Sequence, residues 1–541
     1  MSKEKIKIYL LVFLIVALGF FLRIYNINNA PPGIFPDEAM NGEDAIKAFT
    51  SGNYELFYTN NEGREGLFMN IIALCFKFFG ISILTLKLPA IIFSTLTILG
   101  IYLLAKELFF QYLTKERAHQ LALISAFLLT VSFWSINFGR IAFRANMLPV
   151  ILVFSFYFLF YGLRTKKWWL FAISGILLGL GMHTYISWRV APLILITLLP
   201  IFVLTRKNFL REYWKNILIF TFFSILIAYP ILDLIYMHPS YLHAPIDDIS
   251  VFSPIVNHGH PYLTLLWSFF LSLTKYNLVG DMNWRHNFPP YPLLDVLTGL
   301  AFLFGFIYSL KKFIHLLWLR IYRKTFKPEL EIYAFLISGF FIMLIPEFFS
   351  FEGNPHALRS IGTLPFVFIF AGLAFEYLFN SAKKAPYFNQ KLIQTALIFA
   401  LLFIGIFNPI KYFYFWAKKP IVAESFNKNL TDISRYLKTL PANQEKFVVN
   451  SFGPYHSPLD RLPIQIFNLD TPNTTFLYSW QNFDQIKPKT KNFIIVLTGK
   501  DTDTEDRLKV VFPNLTLQKI ETGLNSAFYI LKPAQSNAAT R

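Results

Sequence analysis

The chain has 541 residues, 55% of them hydrophobic and 18% aromatic but only 15% charged, a balance that excludes an ordinary water-soluble domain. Its formal net charge of +18 would suit a nucleic-acid binder. However, the Lys and Arg residues fall in short clusters between apolar stretches, which is a pattern of membrane topology and excludes nucleic acid as a partner. The single cysteine, Cys75, excludes an intramolecular disulfide and sits in an apolar context that gives it no catalytic role.

A helix that crosses a bilayer needs roughly 20 mostly apolar residues. By that measure spans are predicted at Ile8–Ile24, Leu88–Ala105, Leu121–Asn137, Met147–Tyr161, Trp169–Tyr185, Val190–Leu204, Asn216–Tyr236, Pro292–Leu310, Ile332–Phe348, Ile361–Phe379 and Leu392–Ile410. The first has no small-residue cleavage site after it and is expected to be retained. Two apolar stretches, 67–80 and 262–273, are too short and too interrupted to span, and are expected to lie in the interface. With eleven spans, every basic cluster falls on one side: Lys3/Lys5/Lys7, Lys106/Lys115/Arg117, Arg164/Lys166/Lys167, Arg206 to Lys215, Lys311 to Lys327, and Lys383/Lys384/Lys391. Cytoplasmic loops are enriched in Lys and Arg, so this side is assigned to the cytoplasm together with the N-terminus, in a plasma (cytoplasmic) membrane.

After Ile410 the pattern changes. KFVVNSF, LPIQIFNL, NFIIVLTG and SAFYILK read as short strands, with a helix near Lys428–Leu440. The expected architecture is therefore a polytopic α-helical membrane domain, residues 1–410, followed by a small extracytoplasmic α/β domain, residues 411–541.

The polar residues assigned to the outer face are unusual. PDEAMNGED follows the first span, NNEGREG opens the first interfacial helix, and FGRIAFRANM, HTYISWR, GDMNWRHNFPPYP and EFFSFEGNPHALRSIG follow. Charged groups at a membrane boundary are tolerated where they meet partners or a watery cavity, and there they mark functional sites. Arg offers a planar fork of donors that matches phosphate oxygens, so these arginines and histidines beside carboxylates suit an anionic, lipid-borne substrate. A positioned Asp can take the proton of an attacking hydroxyl while basic groups stabilise a departing phosphate. That is the chemistry of sugar transfer from a lipid phosphate, and no nucleotide-binding glycine motif competes with it.

PDEA (Pro36–Ala39), NEGREGLF (Asn61–Phe68), LKLPAIIFSTLTILGIYLLAKELF (Leu86–Phe109) and HALRSIGTLPFVFIFAG (His356–Gly372) resemble the GT-C superfamily of polytopic glycosyltransferases. That superfamily includes the protein O-mannosyltransferases, the lipid A aminoarabinose transferase and the RgtA/B/C/D-like bacterial group. The resemblance implies inverting transfer of a hexosyl or pentosyl group from a polyprenyl-phosphate sugar to an envelope glycan, lipid or protein. It also implies a catalytic base in the first external loop, matched here by Asp37 with Glu38 beside it. A second acidic position matches Glu62 or Glu65. GREG stands where the family more often has His or Lys before Pro, which weakens any carry-over of a phosphate role to Arg64.

Each residue also has a plainer reading. Asp37 suits a helix N-cap, and Glu43 and Asp44 a solvated helix face. Glu62, Arg64 and Glu65 can pair with one another, and Arg140 and Arg144, four apart on one helical face, can reach lipid headgroups. Arg285, His286, His356, Arg359, Arg64 and Arg140 are the candidates for donor phosphate, with pairing of His356 and Arg359 to Glu347 or Glu352 as the structural reading. Asp37, Glu38 and Glu62 offer oxygen ligands for a divalent cation, which the motif does not require. Two other classes fit the spans, a transporter or flippase of lipid-linked glycans and a non-catalytic envelope-assembly scaffold. Transporters often carry repeated halves and broken midplane helices, neither of which the sequence shows clearly.

Overall fold

The computed structural model describes residues 3–61, 63–243, 249–382, 390–450, 461–479, 481, 483–490 and 492–533. All eleven expected spans are helical. They are α1 (Lys3–Ile24), α4 (Ile83–Phe109), α5 (Lys115–Val131) with the short α6 (Phe133–Phe138), α7 (Met147–Thr165), α8 (Trp168–Gly181), α9 (Pro192–Thr205), α10 (Phe209–Met237), α14 (Val296–Tyr322), α15 (Glu329–Phe348), α16 (Leu364–Ala382) and α17 (Gln390–Ile410). Between them lie α2 (Pro36–Ser51), α3 (Leu67–Phe79), the single turns α11 (Ser240–His243) and α12 (Pro254–Asn257), and α13 (Pro261–Thr274). Both stretches expected at the interface are thus helices, α3 and α13.

Among the described residues, nine helices are long and apolar enough to cross a membrane. The other two of the eleven are α5, with 17 residues, and α8, with 14. α5 opens on Lys115, Glu116 and Arg117, and its first turn is held by the Thr114 side chain, which accepts from the Arg117 N–H. The protein is a multi-pass membrane protein.

The chain divides into two compact units. The first comprises Met1–Tyr25, Tyr54–Ile71 and Lys87–Tyr412, and the second comprises Asn26–Asn53, Ile72–Leu86 and Phe413–Arg541.

In the first unit the helices pack closely where side chains are small. Gly175 and Gly179, one turn apart on α8, face the Phe220 and Ser224 carbonyls of α10, and a Cβ at either position would strike that backbone. The outward faces of α1, α10 and α17 carry exposed Phe13, Phe222 and Phe399. Large apolar side chains exposed in such numbers on long helices mark a lipid-facing surface.

In the second unit α18 (Pro420–Ser425) and α19 (Lys428–Thr439) lead into a five-stranded sheet. Its strands are β3 (Glu445–Asn450), β4 (Thr474–Tyr478), β5 (Phe493–Leu497), β6 (Leu515–Gly523) and β7 (Ser526–Pro533), in the order β4-β3-β5-β7-β6. β4, β3 and β5 run parallel, and β7 and β6 complete the sheet antiparallel. Two-residue periodicity sends Phe447, Val449, Ile495 and Leu497 to one face and Val448, Ile494 and Val496 to the other. α19 covers the second face with Leu430, Ile433 and Leu437, and α21 (Thr502–Val511) covers the first with Leu508.

LPIQIFNL is not a strand. Leu462–Gln465 forms a single turn, α20, with Pro463 at a first-turn position where its missing N–H is harmless. β4 and β6 are strands that the sequence reading did not anticipate.

Candidate active site

The first unit gathers most of the polar residues singled out from sequence. β1 (Phe57–Tyr58) and β2 (Arg64–Glu65) form a small hairpin that leads into α3. Glu65, buried, accepts from Arg144 Nε at 2.9 Å and lies 3.6 Å from Arg189. The Arg144 guanidinium also covers the Tyr185 ring, 5.4 Å from its centre. Glu65 therefore pairs across the bundle and not with Arg64, whose guanidinium donates to Asn60 Oδ1 at 2.5 Å. Glu62 lies outside the described residues.

Tyr185 joins this group to a second one. Burial pushes its phenol up, while Arg144 and Arg359 pull the other way, and the Ser187 hydroxyl donates to the Arg359 carbonyl at 3.2 Å. Arg359 reaches Glu352, donating to its carbonyl at 2.6 Å and to its carboxylate at 3.2 Å.

Asp281 organises the second group. It is 1% exposed. Its Oδ1 accepts from the Asn283 N–H at 2.8 Å and closes the turn that presents Arg285. Its Oδ2 accepts from the Ala357 N–H at 2.7 Å and lies 3.1 Å from His286 Nδ1. One carboxylate thus ties the GDMNWRH loop to the NPHALRS loop, 76 positions apart. The His286 ring lies over Phe138, and the His356 ring centre is 4.7 Å from that of His286. The neighbouring Asn137 donates to the Arg285 carbonyl at 2.8 Å, while its buried Oδ1 has no hydrogen-bond partner among the described residues.

Behind this pair of loops is a wholly buried ion pair that the sequence reading missed, Lys275 with Glu347 at 2.5 Å. Glu347 also accepts from the His356 N–H at 3.0 Å, and so fixes the start of the second loop. Burial pulls the Lys275 ammonium down, against the attraction of Glu347. The signal available in sequence was a lone lysine directly after an apolar run, LSLTKY.

His356 is held neutral. Burial lowers its pKa well below the ordinary histidine range, and His286, Arg359, Arg285 and Lys275 press in the same direction. Among the described residues, then, Lys275, Arg144, Arg189, Arg285 and Arg359 face three buried carboxylates, Glu65, Asp281 and Glu347, and the exposed Glu352. Such a surplus of planar donors suits a phosphate.

The remaining candidates have their own settings. Arg140 is fully buried and donates to the Leu22 and Tyr25 carbonyls, both at 2.7 Å, so it closes the end of α1. It does not share a helix with Arg144, because residues 139–143 are not helical. Asp37 and Glu38 belong to the second unit. Phe35, not Asp37, is the N-cap of α2, which places Asp37 second in the helix, half-buried, at the end whose free N–H groups favour a negative charge. Glu38 is buried and turns back to accept from the Phe35 N–H at 3.3 Å. Glu43 pairs with Lys47 at 3.2 Å, but Asp44 is buried, not solvated as its sequence context suggested.

Asp281, His286 and His356 offer ligand atoms within 4.8 Å of one another. A carboxylate with two imidazoles is a donor set that zinc accepts. Here Asp281 Oδ2 already takes two donors and His356 Nδ1 lies 3.4 Å from the Arg359 N–H, while the surrounding cations oppose a further positive charge.

The chain is thus a polytopic membrane protein whose loops converge on a cationic, carboxylate-braced site. A family model described as dolichyl-phosphate-mannose-protein mannosyltransferase matches residues 67–232. ArnT from Cupriavidus metallidurans, solved with undecaprenyl phosphate, aligns over 100% of both chains with a TM-score of 0.51 and 11% identity. An oligosaccharyltransferase from Archaeoglobus fulgidus, tethered to an acceptor peptide, aligns over 95% of this chain and 69% of its own with a TM-score of 0.53 and 13% identity. The same enzyme with zinc and sulfate aligns over 90% and 67%, with a TM-score of 0.52 and 14% identity. No curated protein matches by sequence. The chain has the fold of the GT-C membrane glycosyltransferases.

Proposed function

We propose that this protein transfers a sugar from a polyprenyl-phosphate donor to an envelope glycan, lipid or protein, at the outer leaflet of the plasma membrane. The observation that carries this reading is the cationic site braced by Asp281, in which Arg285 and Arg359 stand on two loops tied to one carboxylate. Arg359 and Arg285 stabilise the phosphate as it leaves, and Arg144 and Arg189, held by Glu65, extend the same field. Asp37 takes the proton of the acceptor hydroxyl. The hydroxyl oxygen bonds to the anomeric carbon as the carbon–oxygen bond to phosphate breaks, so configuration inverts and the polyprenyl phosphate departs with the extra negative charge. Arg140 takes no part in this reading, because its guanidinium donates to the Leu22 and Tyr25 carbonyls at the end of α1.

Orientation rests on the basic clusters, which place the N-terminus in the cytoplasm and residues 411–541 outside. The test is transfer of radiolabelled sugar from a mixed pool of polyprenyl-phosphate sugars, in reconstituted vesicles supplied with envelope extract. Label is expected to move with the parent protein and not with Asp37→Asn. Equal transfer by the variant would remove Asp37 as the base, and no transfer by well-folded parent with intact donors would overturn the enzyme class.

A further inference from the structure

The second unit contains an open groove that the transfer reading does not use. Its larger part, about 390 Å³, is lined by Asn28, Ser82, Arg435 and Lys438 over an apolar floor that includes Ile81 and Phe467. A second part of about 330 Å³ shares Ile81, Lys438 and Phe467 with the first, so the two are continuous.

The groove is positively charged. Arg435 and Lys438 lie one turn apart on α19 and point to the same side. Arg435 donates to the Asn28 carbonyl at 2.5 Å and lies 3.6 Å from Asp432, yet its side chain remains 41% exposed. The charge of Asp432 is already met by Lys428 Nζ and the Thr522 hydroxyl, both at 2.5 Å. Lys438 is exposed and lines both parts of the groove. The one acid on the walls, Asp470, belongs to the smaller part.

Chain continuity puts this groove at the membrane boundary. Asn28 comes four residues after the end of α1, and Ile81 to Ile83 run directly into α4, both of them helices long and apolar enough to cross a membrane. Immediately before Ile81, α3 ends in Phe78 and Phe79, which are 72% and 70% exposed. Adjacent exposed aromatics beside a span enter the interfacial layer of a bilayer.

We infer that the groove binds the phosphate headgroup of an anionic membrane phospholipid, with Arg435 and Lys438 on the phosphate and the acyl chains lying along Phe78 and Phe79. Charge complementarity selects the headgroup and the apolar floor selects a lipid over a soluble anion. The inference stands apart from the transfer reading, because it concerns binding and requires no turnover.

The test uses the full chain in neutral detergent micelles doped with equal amounts of phosphatidylglycerol and phosphatidylcholine, with retained lipid counted by native mass spectrometry. The parent is expected to retain phosphatidylglycerol in preference. Lys438→Glu, at an exposed position, should keep the parent Tm and reduce that preference by about fivefold or more, the effect of one cation near a lipid surface. Arg435→Ala/Lys438→Ala should abolish it, while Lys487→Ala/Lys489→Ala, removing two cations outside the groove walls, should leave it unchanged. Equal retention of the two lipids by the parent, or an unchanged preference in Lys438→Glu, would overturn the inference. Displacement of phosphatidylglycerol by millimolar inorganic phosphate would overturn the lipid assignment in favour of a free-phosphate site.

Discussion

The two ends of the first unit handle arginine differently. At the C-terminal ends of α4, α7 and α9, each inward arginine meets its own carboxylate: Arg164 binds Glu107 through two nitrogens at 2.5 and 2.9 Å, and Arg206 binds Glu331 through two at 2.7 Å. Arg117 joins Glu376 at 2.5 Å near the same end. At the N-terminal ends of α7 and α16 and the C-terminal end of α15 the pattern is different: Glu65 serves both Arg144 and Arg189, Arg359 meets only the exposed Glu352, and Arg285 stands on the loop that Asp281 organises. One-to-one pairing clamps helices together. Shared pairing leaves cationic capacity for a ligand, and that difference separates a structural end from a site.

The comparison can be broken by substitution. The largest effect is expected at Asp37, in the second unit: as the base of the proposed transfer, its replacement in Asp37→Asn should lower transfer by about 10²-fold or more with little change in Tm. Next, Asp281→Ala strips the acceptor from the Asn283 and Ala357 N–H groups and from His286. It should destabilise the two loops by about 2–4 kcal/mol, read as lower Tm and faster amide exchange at residues 281–287 and 354–360. Glu331→Gln breaks the clamp on Arg206, which is 23% exposed, and should cost about 1–3 kcal/mol. Polyprenyl-phosphate affinity should stay unchanged, because Arg206 follows α9 at the end opposite to Arg189.

The smallest effect is a pH dependence. The folded pKa of His356 lies below its unfolded value, so its neutral form stabilises the fold above about pH 6.5. That contribution is lost as pH falls from about 6.5 toward the folded value, with a slope of at most about 1.4 kcal/mol per pH unit. His356→Gln should flatten the Tm profile in that window, and an unchanged profile would show that His356 is not held neutral.

Much of the helical architecture was legible because each span is a long apolar run with basic residues at one end. The errors came where the signal is short. LPIQIFNL alternates like a strand, yet Pro463 and four buried apolar side chains fit a turn equally well. The polar faces of β6 hid a strand whose apolar positions are Leu515, Leu517 and Ile520. At the site, DMNWRH and NPHALRS stood out as charged segments beside spans. Their joining through Asp281 and the Ala357 N–H was not legible, because a side chain that accepts from a backbone amide 76 residues away leaves no local pattern. Glu347 was read as a partner of His356 or Arg359, and it does accept from the His356 N–H, but its charge partner, Lys275, carried no motif.

The most direct measurement is binding of a short-chain polyprenyl phosphate to the parent, to Arg285→Ala/Arg359→Ala and to Arg206→Ala, under conditions where all three are folded. The shared-pairing end is predicted to lose about tenfold or more in affinity, the loss of charge-assisted contacts to phosphate, while Arg206→Ala binds as the parent does. Equal affinity in all three, or a loss confined to Arg206→Ala, would contradict the assignment of the site.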